Sequence, residues 1–134
     1  MAMMKVKHEG GMSSSINVRN HTVMVDVPEE MGGQDRGPTP VDLLAGSLGS
    51  CVAFYLARWC QQAGVPYEGF EIDVDYMHDR EAHCVPVLGI KVRMPAQFPK
   101  EREDALLKVA QSCTVHNTLC ALPQITIEVV GGDQ

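Results

Sequence analysis

Apolar and polar residues alternate through the first part of the chain, with the period of a β-strand that has one buried face. The alternation is clearest in residues 21–27, and shorter stretches of the same kind occupy residues 5–7 and 15–19. Asn20 separates the last two stretches along the chain, and asparagine is typical of tight turns. The N-terminal region is therefore predicted to contain three strands, two of them joined in a hairpin.

The pattern changes after residues 28–38, a segment rich in proline, glycine and acidic residues that we interpret as an ordered loop. The Thr39 hydroxyl can cap a first helical turn, Pro40 suits the first helical position, and Asp42 completes a capping box. Helical spacing then continues to Gly64, which is typical of a C-terminal cap. The pattern predicts one helix of roughly 24 residues, about 36 Å long.

This long helix is apolar on all sides. One face is bulky and carries Cys51 with Leu44 and Tyr55, whereas the opposite face carries small residues such as Gly46 and Gly49. A helix of this kind is usually buried, so we expect it at the centre of the fold. Each glycine lowers helix propensity by about 1 kcal/mol, and we expect close packing of another backbone to offset that cost.

The second half of the chain alternates between strand and helix patterns. We predict a strand pair at residues 70–79 and 87–95 joined by a polar loop at 80–86, an amphipathic helix at 99–112, a short helical turn within 114–122, and a final strand at 124–130. Strand groups separated by helices, without regular βαβ alternation, predict an α+β fold with antiparallel sheets. A chain of 134 residues predicts a single domain over residues 1–134.

Composition narrows the classes of function. The net charge of −6 and the pI of about 5.2 argue against a nucleic-acid partner. No run of eighteen uncharged apolar residues occurs, so we expect no membrane partner. The first residues lack the long apolar stretch of a signal peptide. Five cysteines without paired spacing then favour reduced thiols and a cytoplasmic location.

Cys51 is the first candidate for chemistry. It lies about twelve residues after the helix start, beyond the reach of the helix dipole, so a reactive thiol there needs a neighbouring cation. Arg58, on the same helix face, and Arg19, in an early strand, are candidates for that cation. The alternative interpretation is an inert cysteine of the core.

Cys113 is the second candidate, because it falls where one predicted helix ends and the next begins. A thiol at a helix N-terminus can have a lowered pKa, and the alternative is a small residue used for packing. A metal site built from Cys113, His116, Cys120 and His83 is conceivable. However, a single Cys-x2-His lacks the second half of a zinc signature. Cys60 is interpreted as packing.

Two segments together carry a resemblance to a known family. The stretch GGQDRGPTPVDLLAGSLGSC ends at Cys51, and the stretch CTVHNTL begins at Cys113. The combination of a G-P-T-P helix start, a mid-helix cysteine and a C-x-V-H-N-T-L segment resembles the OsmC/Ohr family. These are the osmotically induced and organic hydroperoxide resistance proteins of bacteria. The chain resembles the broader OsmC-like branch more than Ohr or OsmC themselves.

The resemblance implies an α+β OsmC-like fold in which two chains intertwine as an obligate homodimer, with the long cysteine-bearing helices at the centre. It also implies reduction of an organic hydroperoxide substrate. Cys51 matches the attacking cysteine, which becomes a sulfenic acid, and Cys113 matches the resolving cysteine, which condenses with it into a disulfide. A dithiol or lipoyl-type reductant would restore both thiols, and no metal or organic cofactor is implied.

One position departs from the family pattern. The well-studied peroxidases carry a glutamate ten residues before the attacking cysteine, where it holds an activating arginine. That position is Val41 here, and the nearest carboxylate is Asp42, which the capping box is expected to occupy. The matching arginine context is also missing. Arg19 is the nearest candidate for the thiolate-stabilising catalytic group, and Arg36 is another.

Three hypotheses follow from these features. The first is a cysteine-based peroxidase for organic hydroperoxides that acts in oxidative stress defence through Cys51, Cys113 and Arg19. The second is a non-catalytic OsmC-like protein that binds a small apolar ligand at the dimer interface, which the valine at position 41 and the apolar helix face favour. The third is a metal-binding protein built around His116.

Overall fold

The computed structural model describes residues 3–132. Five strands and three helices follow one another in the order β1 (Lys5–His8), β2 (Ser14–Val18), β3 (His21–Val25), α1 (Pro40–Ala63), β4 (Glu71–Asp79), β5 (Cys84–Arg93), α2 (Glu103–Ala110) and α3 (Thr114–Cys120). Single 3₁₀ turns occupy Glu29–Met31 and Lys100–Arg102. The mixture of helices and antiparallel sheets confirms the predicted α+β class.

The strands form two sheets. The first has the order β1-β2-β3 with antiparallel neighbours, and Ile16 of β2 lies opposite Val6 of β1 and Val23 of β3. The second sheet consists of β4 and β5. The turn between β2 and β3 contains Arg19 and Asn20, and Arg19 adopts a left-handed backbone conformation with φ of 50°. The predicted N-terminal hairpin is therefore confirmed.

By its internal contacts the chain divides into two compact units. The first consists of Met1–Ser47 and Asp73–Ile90, and its buried residues include polar ones as well as Val25 and Ala45. The second consists of Leu48–Ile72 and Lys91–Gln134. The single domain over residues 1–134 stays a prediction.

A buried carboxylate organises the first unit. Asp26 is 1% exposed and accepts hydrogen bonds from the backbone N–H groups of Val27 (2.8 Å), Gln34 (3.2 Å) and Arg36 (3.2 Å). These bonds hold the pKa of the Asp26 carboxyl below its ordinary value, against the opposing effect of burial. They tie the end of β3 to the loop before α1, which agrees with the ordered loop expected there.

An apolar stripe of α1 forms much of the core of the second unit. The stripe has the spacing of one helical face and consists of Leu48, Val52, Leu56 and Cys60, all 5% exposed or less. Phe98, Leu106 of α2 and Cys113 are the other buried apolar residues of this unit. The core of the second unit is thus built mainly from hydrocarbon and sulfur.

Both predicted ends of α1 are confirmed. The Asp42 N–H donates to Thr39 Oγ1 (3.0 Å) and the Thr39 N–H donates to Asp42 Oδ2 (2.9 Å), which are the two bonds of a capping box. At the other end Gly64 has φ of 69°, and the Val65 N–H donates to the Cys60 carbonyl (3.1 Å). This is the Schellman pattern of a glycine-terminated helix.

The expectation that α1 is buried on all sides is not met within one chain. Leu44 is 38% exposed and Phe54 is 57% exposed. A Cβ atom added at Gly46 would meet nothing within 4 Å, so no backbone packs closely there. By length and composition alone α1 could cross a membrane, but the core helix of a soluble protein satisfies the same criteria.

One predicted strand is absent and two predicted boundaries are wrong. Residues 124–130 form no strand and pair with no strand among residues 3–132. Cys84 is the first residue of β5 and does not lie in the loop before it. The strand begins three residues before residue 87, where the alternation of apolar residues starts. The helix expected at residues 99–112 is shorter, since a 3₁₀ turn precedes α2.

Candidate functional site

Cys51 lies on α1 beside the buried stripe, at the margin between its buried and exposed faces, and is partly exposed. It belongs to the second unit. One helical turn later Tyr55 lies on the same side of α1, because residues four apart are neighbours on a helix surface. A thiol in this position is anchored by a rigid helix and is still open to an approaching molecule.

Cys113 lies at the start of α3, three residues after the end of α2, as the sequence predicted. It is the N-cap residue of α3, and its Sγ accepts a hydrogen bond from the His116 N–H at 3.3 Å. The side chain is 0% exposed. The second unit contains Cys113 as well as Cys51.

The thiols of Cys51 and Cys113, the thiol pair, are neighbours in the fold, close enough for Cys51 to affect the pKa of Cys113. Neither cysteine is in a disulfide. Burial raises the pKa of Cys113, and the neighbouring Cys51 adds to this, while the His116 N–H acts in the opposite direction. The lowered pKa that a helix start can produce is not found at Cys113, because desolvation outweighs the backbone donor. Cys113 thus holds its proton more firmly than a free cysteine does.

The three candidate arginines lie in different surroundings. The Arg58 guanidinium lies 5.1 Å from the ring centre of Phe54 and 5.2 Å from that of Tyr55. Both rings precede Arg58 on α1, so its side chain leans toward the N-terminal end of the helix, the direction in which Cys51 lies. Arg19 is exposed in the β2–β3 turn of the first unit and not in a strand as predicted, because β2 ends at Val18. Arg36, also in the first unit, donates to Ser13 Oγ at 3.2 Å.

Both carboxylate oxygens of Asp42 have partners. Oδ2 accepts from the Thr39 backbone, and Oδ1 accepts from the hydroxyl of Tyr76 on β4. The Tyr76 bond is the main cause of a lowered pKa at Asp42, and the same bond raises the pKa of Tyr76. The expected involvement of Asp42 in the capping box is confirmed. Its bond to Tyr76 was not predicted, since no sequence pattern links a helix start to a strand position so far along the chain.

A second contact near the thiol pair was also missed from the sequence. The Tyr55 hydroxyl and Thr114 Oγ1 are 2.8 Å apart and hydrogen-bond. Beside them is a cleft of about 290 Å³, lined by Tyr55, Arg58 and Trp59 from α1 and by Lys108 from α2, among others. The cleft has basic and aromatic walls, and it lies entirely within the second unit.

The remaining thiols lie outside the pair. Cys60 is buried, and this burial raises its pKa, in agreement with a packing role. Cys120 is exposed, with its Sγ 3.6 Å from His116 Nε2. Over residues 3–132, no group of three His, Cys, Asp or Glu side chains is arranged to hold a metal ion. The four residues of the conceivable metal site are therefore not brought together as ligands.

The model of the family described as OsmC-like protein matches residues 32–128. Among solved structures, a Psychrobacter arcticus 273-4 protein named for osmotic stress induction and detoxification response has a TM-score of 0.81 at 21% identity, over 88% of both chains. An OsmC like protein from Mycoplasma pneumoniae has a TM-score of 0.78 at 12% identity, over 91% of this chain and 89% of the other.

A third solved structure is the organic hydroperoxide resistance protein OhrB of Bacillus subtilis. Its TM-score is 0.58 at 19% identity, over 90% of this chain and 92% of that one. No match was found among curated proteins. At these identities the solved structures show a shared fold, which confirms the OsmC-like architecture. The family match spans most of the chain, including both segments that carried the resemblance, and so this protein belongs to the OsmC-like family.

Proposed function

We propose that this protein is a thiol-dependent peroxidase that reduces organic hydroperoxides in oxidative stress defence. The observation that carries the proposal is the thiol pair, in which a partly exposed Cys51 neighbours a buried Cys113. Family membership supports it, as do structural neighbours named organic hydroperoxide resistance proteins in Bacillus subtilis and Legionella pneumophila.

The proposed reaction has two steps at sulfur. The Cys51 thiolate attacks one peroxide oxygen, the O–O bond breaks, and the other oxygen takes up a proton and leaves as an alcohol. Cys51 is thereby oxidised by two electrons to a sulfenic acid. The Cys113 sulfur then forms an S–S bond with Cys51, and the hydroxyl departs with the Cys113 proton as water. A dithiol or lipoyl-type reductant restores both thiols by exchange.

A cation must favour the Cys51 thiolate, since the helix dipole does not extend to it. We propose Arg19 for this role, with Arg58 as the second candidate. The orientation of Arg58 on Phe54 and Tyr55 supports the second candidate, because the charge is held on the thiol side of its own backbone. The variants Arg19→Gln and Arg58→Gln distinguish the two candidates. Oxidation of Cys51 should be slower in the variant that has lost the activating charge and unchanged in the other variant.

The proposal includes a homodimer. Apolar side chains remain exposed on one chain, including Leu44 and Phe54 of α1 and a run near the C-terminus, and a second copy would cover them. The solved OsmC-like structures indicate a soluble protein, and we propose the cytoplasm as its location. Reduced thiols are stable there, which the two-step reaction requires.

The test is consumption of cumene hydroperoxide in the presence of dithiothreitol. We expect Cys51→Ser to abolish turnover, because a serine hydroxyl cannot replace the attacking thiol. When the hydroperoxide is added without dithiothreitol, we expect Cys113→Ser to accumulate a sulfenic acid that dimedone traps at Cys51. Cys84→Ser is the matched control, an exposed thiol outside the pair, and should keep the parent rate.

The proposal fails if Cys51→Ser consumes the hydroperoxide as fast as the parent. It also fails if the parent thiol pair survives an equimolar dose of hydroperoxide unchanged. In that case a search for a co-purified apolar ligand by mass spectrometry tests the non-catalytic alternative.

A further inference from the structure

We propose that Tyr55 is a positioning residue for closure of the Cys51–Cys113 disulfide. Its hydroxyl, hydrogen-bonded to Thr114, holds the start of α3 against α1 so that the two sulfurs stay close together. The inference rests on the proposed function and names a residue that acts through the thiol pair without touching the reacting atoms.

The two partners of this hydrogen bond lie close to the two cysteines along the chain. Tyr55 is one helical turn after Cys51, and Thr114 directly follows Cys113. The hydrogen bond of 2.8 Å between their side chains joins residues that are 59 positions apart. It therefore links the two backbone segments that carry the thiols, beside the thiols themselves.

The Tyr55 ring is held in place by two neighbouring side chains of α1. It packs edge-to-face against Phe54, with ring centres 5.6 Å apart and planes at 89°. The Arg58 guanidinium lies 5.2 Å from the Tyr55 ring centre. A ring restrained by these neighbours presents its hydroxyl in one direction, so the hydrogen bond costs little side-chain entropy to form.

Apart from this hydrogen bond, α3 is weakly anchored. The helix spans only seven residues, Thr114–Cys120, and none of these residues is fully buried. A helix this short is marginal by itself and depends on tertiary contacts for its position. Cys113 moves with the start of α3, because its sulfur caps that helix through the His116 N–H. A contact at Thr114 therefore controls where the Cys113 sulfur lies.

The consequence applies to the second chemical step alone. Attack of the Cys51 thiolate on the hydroperoxide does not involve Cys113. Closure requires the Cys113 sulfur to reach the Cys51 sulfenic acid along the S–O axis, release water and form the S–S bond. Loss of the Tyr55–Thr114 bond should leave the first step intact and slow the second, which lengthens the lifetime of the sulfenic acid.

The test is a single turnover with equimolar cumene hydroperoxide, followed by rapid acid quench and mass spectrometry. For Tyr55→Phe we expect loss of the Cys51 thiol at the parent rate and disulfide formation slower by about three- to tenfold, the worth of one hydrogen bond. Thr114→Val should give the same change, Thr114→Ser should restore the parent rate, and the double variant should be no slower than either single variant. Tyr67→Phe is the matched control, since its ring lies outside this contact.

A second measurement uses diamide, which oxidises paired thiols to a disulfide without peroxide chemistry. Peptide mapping of the Cys51–Cys113 bond should show slower closure in Tyr55→Phe than in Tyr67→Phe. Closure at the parent rate in both measurements would overturn the positioning role and leave the peroxidase proposal standing. A parent that loses no thiol to cumene hydroperoxide overturns the peroxidase instead, and the diamide result then decides the positioning role alone.

Discussion

The two compact units of this chain are stabilised by different kinds of interaction. The first unit buries Ser13, Ser15 and Asp26, and every one of these polar side chains has a hydrogen-bond partner within the unit. The second unit buries leucine, valine, phenylalanine and cysteine side chains. It also leaves a C-terminal segment, residues 122–130, with its apolar side chains exposed, such as Ile127 at 87% and Val129 at 90%.

The difference lies in how each unit satisfies the residues that it buries. The buried polar side chains of the first unit form hydrogen bonds with neighbours in the same chain. Both units expose apolar side chains, such as Met12 and Met77 of the first and Ile127 of the second, and the second unit also contains the thiol pair. We propose that a second copy of the chain covers exposed apolar surface of the second unit.

The largest expected effect is on assembly. The double substitution Ile125→Asp and Ile127→Asp should convert a dimeric parent to a monomer, because two charges would replace apolar side chains proposed to be buried by the second copy. Light scattering after size-exclusion chromatography measures the mass. Gln124→Asp with Thr126→Asp adds the same charges at the alternate positions and should stay dimeric. A double isoleucine variant with the parent mass would separate the C-terminal segment from assembly.

The next effect tests whether the two cores differ in strength. Leu56→Ala in the second unit should lower the free energy of unfolding by about 2–5 kcal/mol, the usual cost of an emptied leucine site. Ser15→Ala in the first unit removes a 2.6 Å hydrogen bond to Glu9 and should cost about 1 kcal/mol. Urea unfolding of both variants measures the two costs. Equal losses would remove the distinction between an apolar and a polar unit.

The smallest effect is a pH dependence in the first unit. Asp42 has a pKa below its ordinary 3.8, so its contribution is present above that value and is lost as the pH falls through the lowered pKa. Tyr76 has a pKa above its ordinary 10.0, so its contribution is present below that value and is lost as the pH rises through the raised pKa.

The variant Tyr76→Phe should therefore be less stable than the parent between about pH 4 and pH 10. The loss in free energy of unfolding should be less than about 1 kcal/mol, because the pair is solvent-exposed. The difference should shrink at both ends of that range. Thermal melts across the pH series measure it, and Tyr67→Phe serves as the control. A gap of constant size at every pH would mean that the Asp42–Tyr76 bond makes no titratable contribution.

Features that depend on near neighbours were predictable from the sequence. The capping box of Thr39 and Asp42 needs only residues three apart, and the Gly64 cap needs only the preceding turn, so both followed from local chemistry. The N-terminal hairpin around Asn20 followed for the same reason. The family resemblance added the pairing of Cys51 with Cys113, which spacing alone left open.

Features that depend on the surroundings were not predictable. The raised pKa at Cys113 arises from burial, which outweighs the helix-start effect that the sequence suggested. The segment 124–130 has the alternation of a strand, but a strand also needs a free edge, and alternation says nothing about edges. The Tyr55–Thr114 and Asp42–Tyr76 bonds join distant positions that no local pattern connects.

The sequence by itself determined the class of fold, the boundaries of the long helix and the family, because these follow from periodicity, caps and motif spacing within short windows of chain. Tertiary structure alone decided which thiol is buried, which face of α1 is covered and which hydroxyl lies next to Thr114. The physical reason is that desolvation and contact depend on distances through space, and only the folded chain sets those distances.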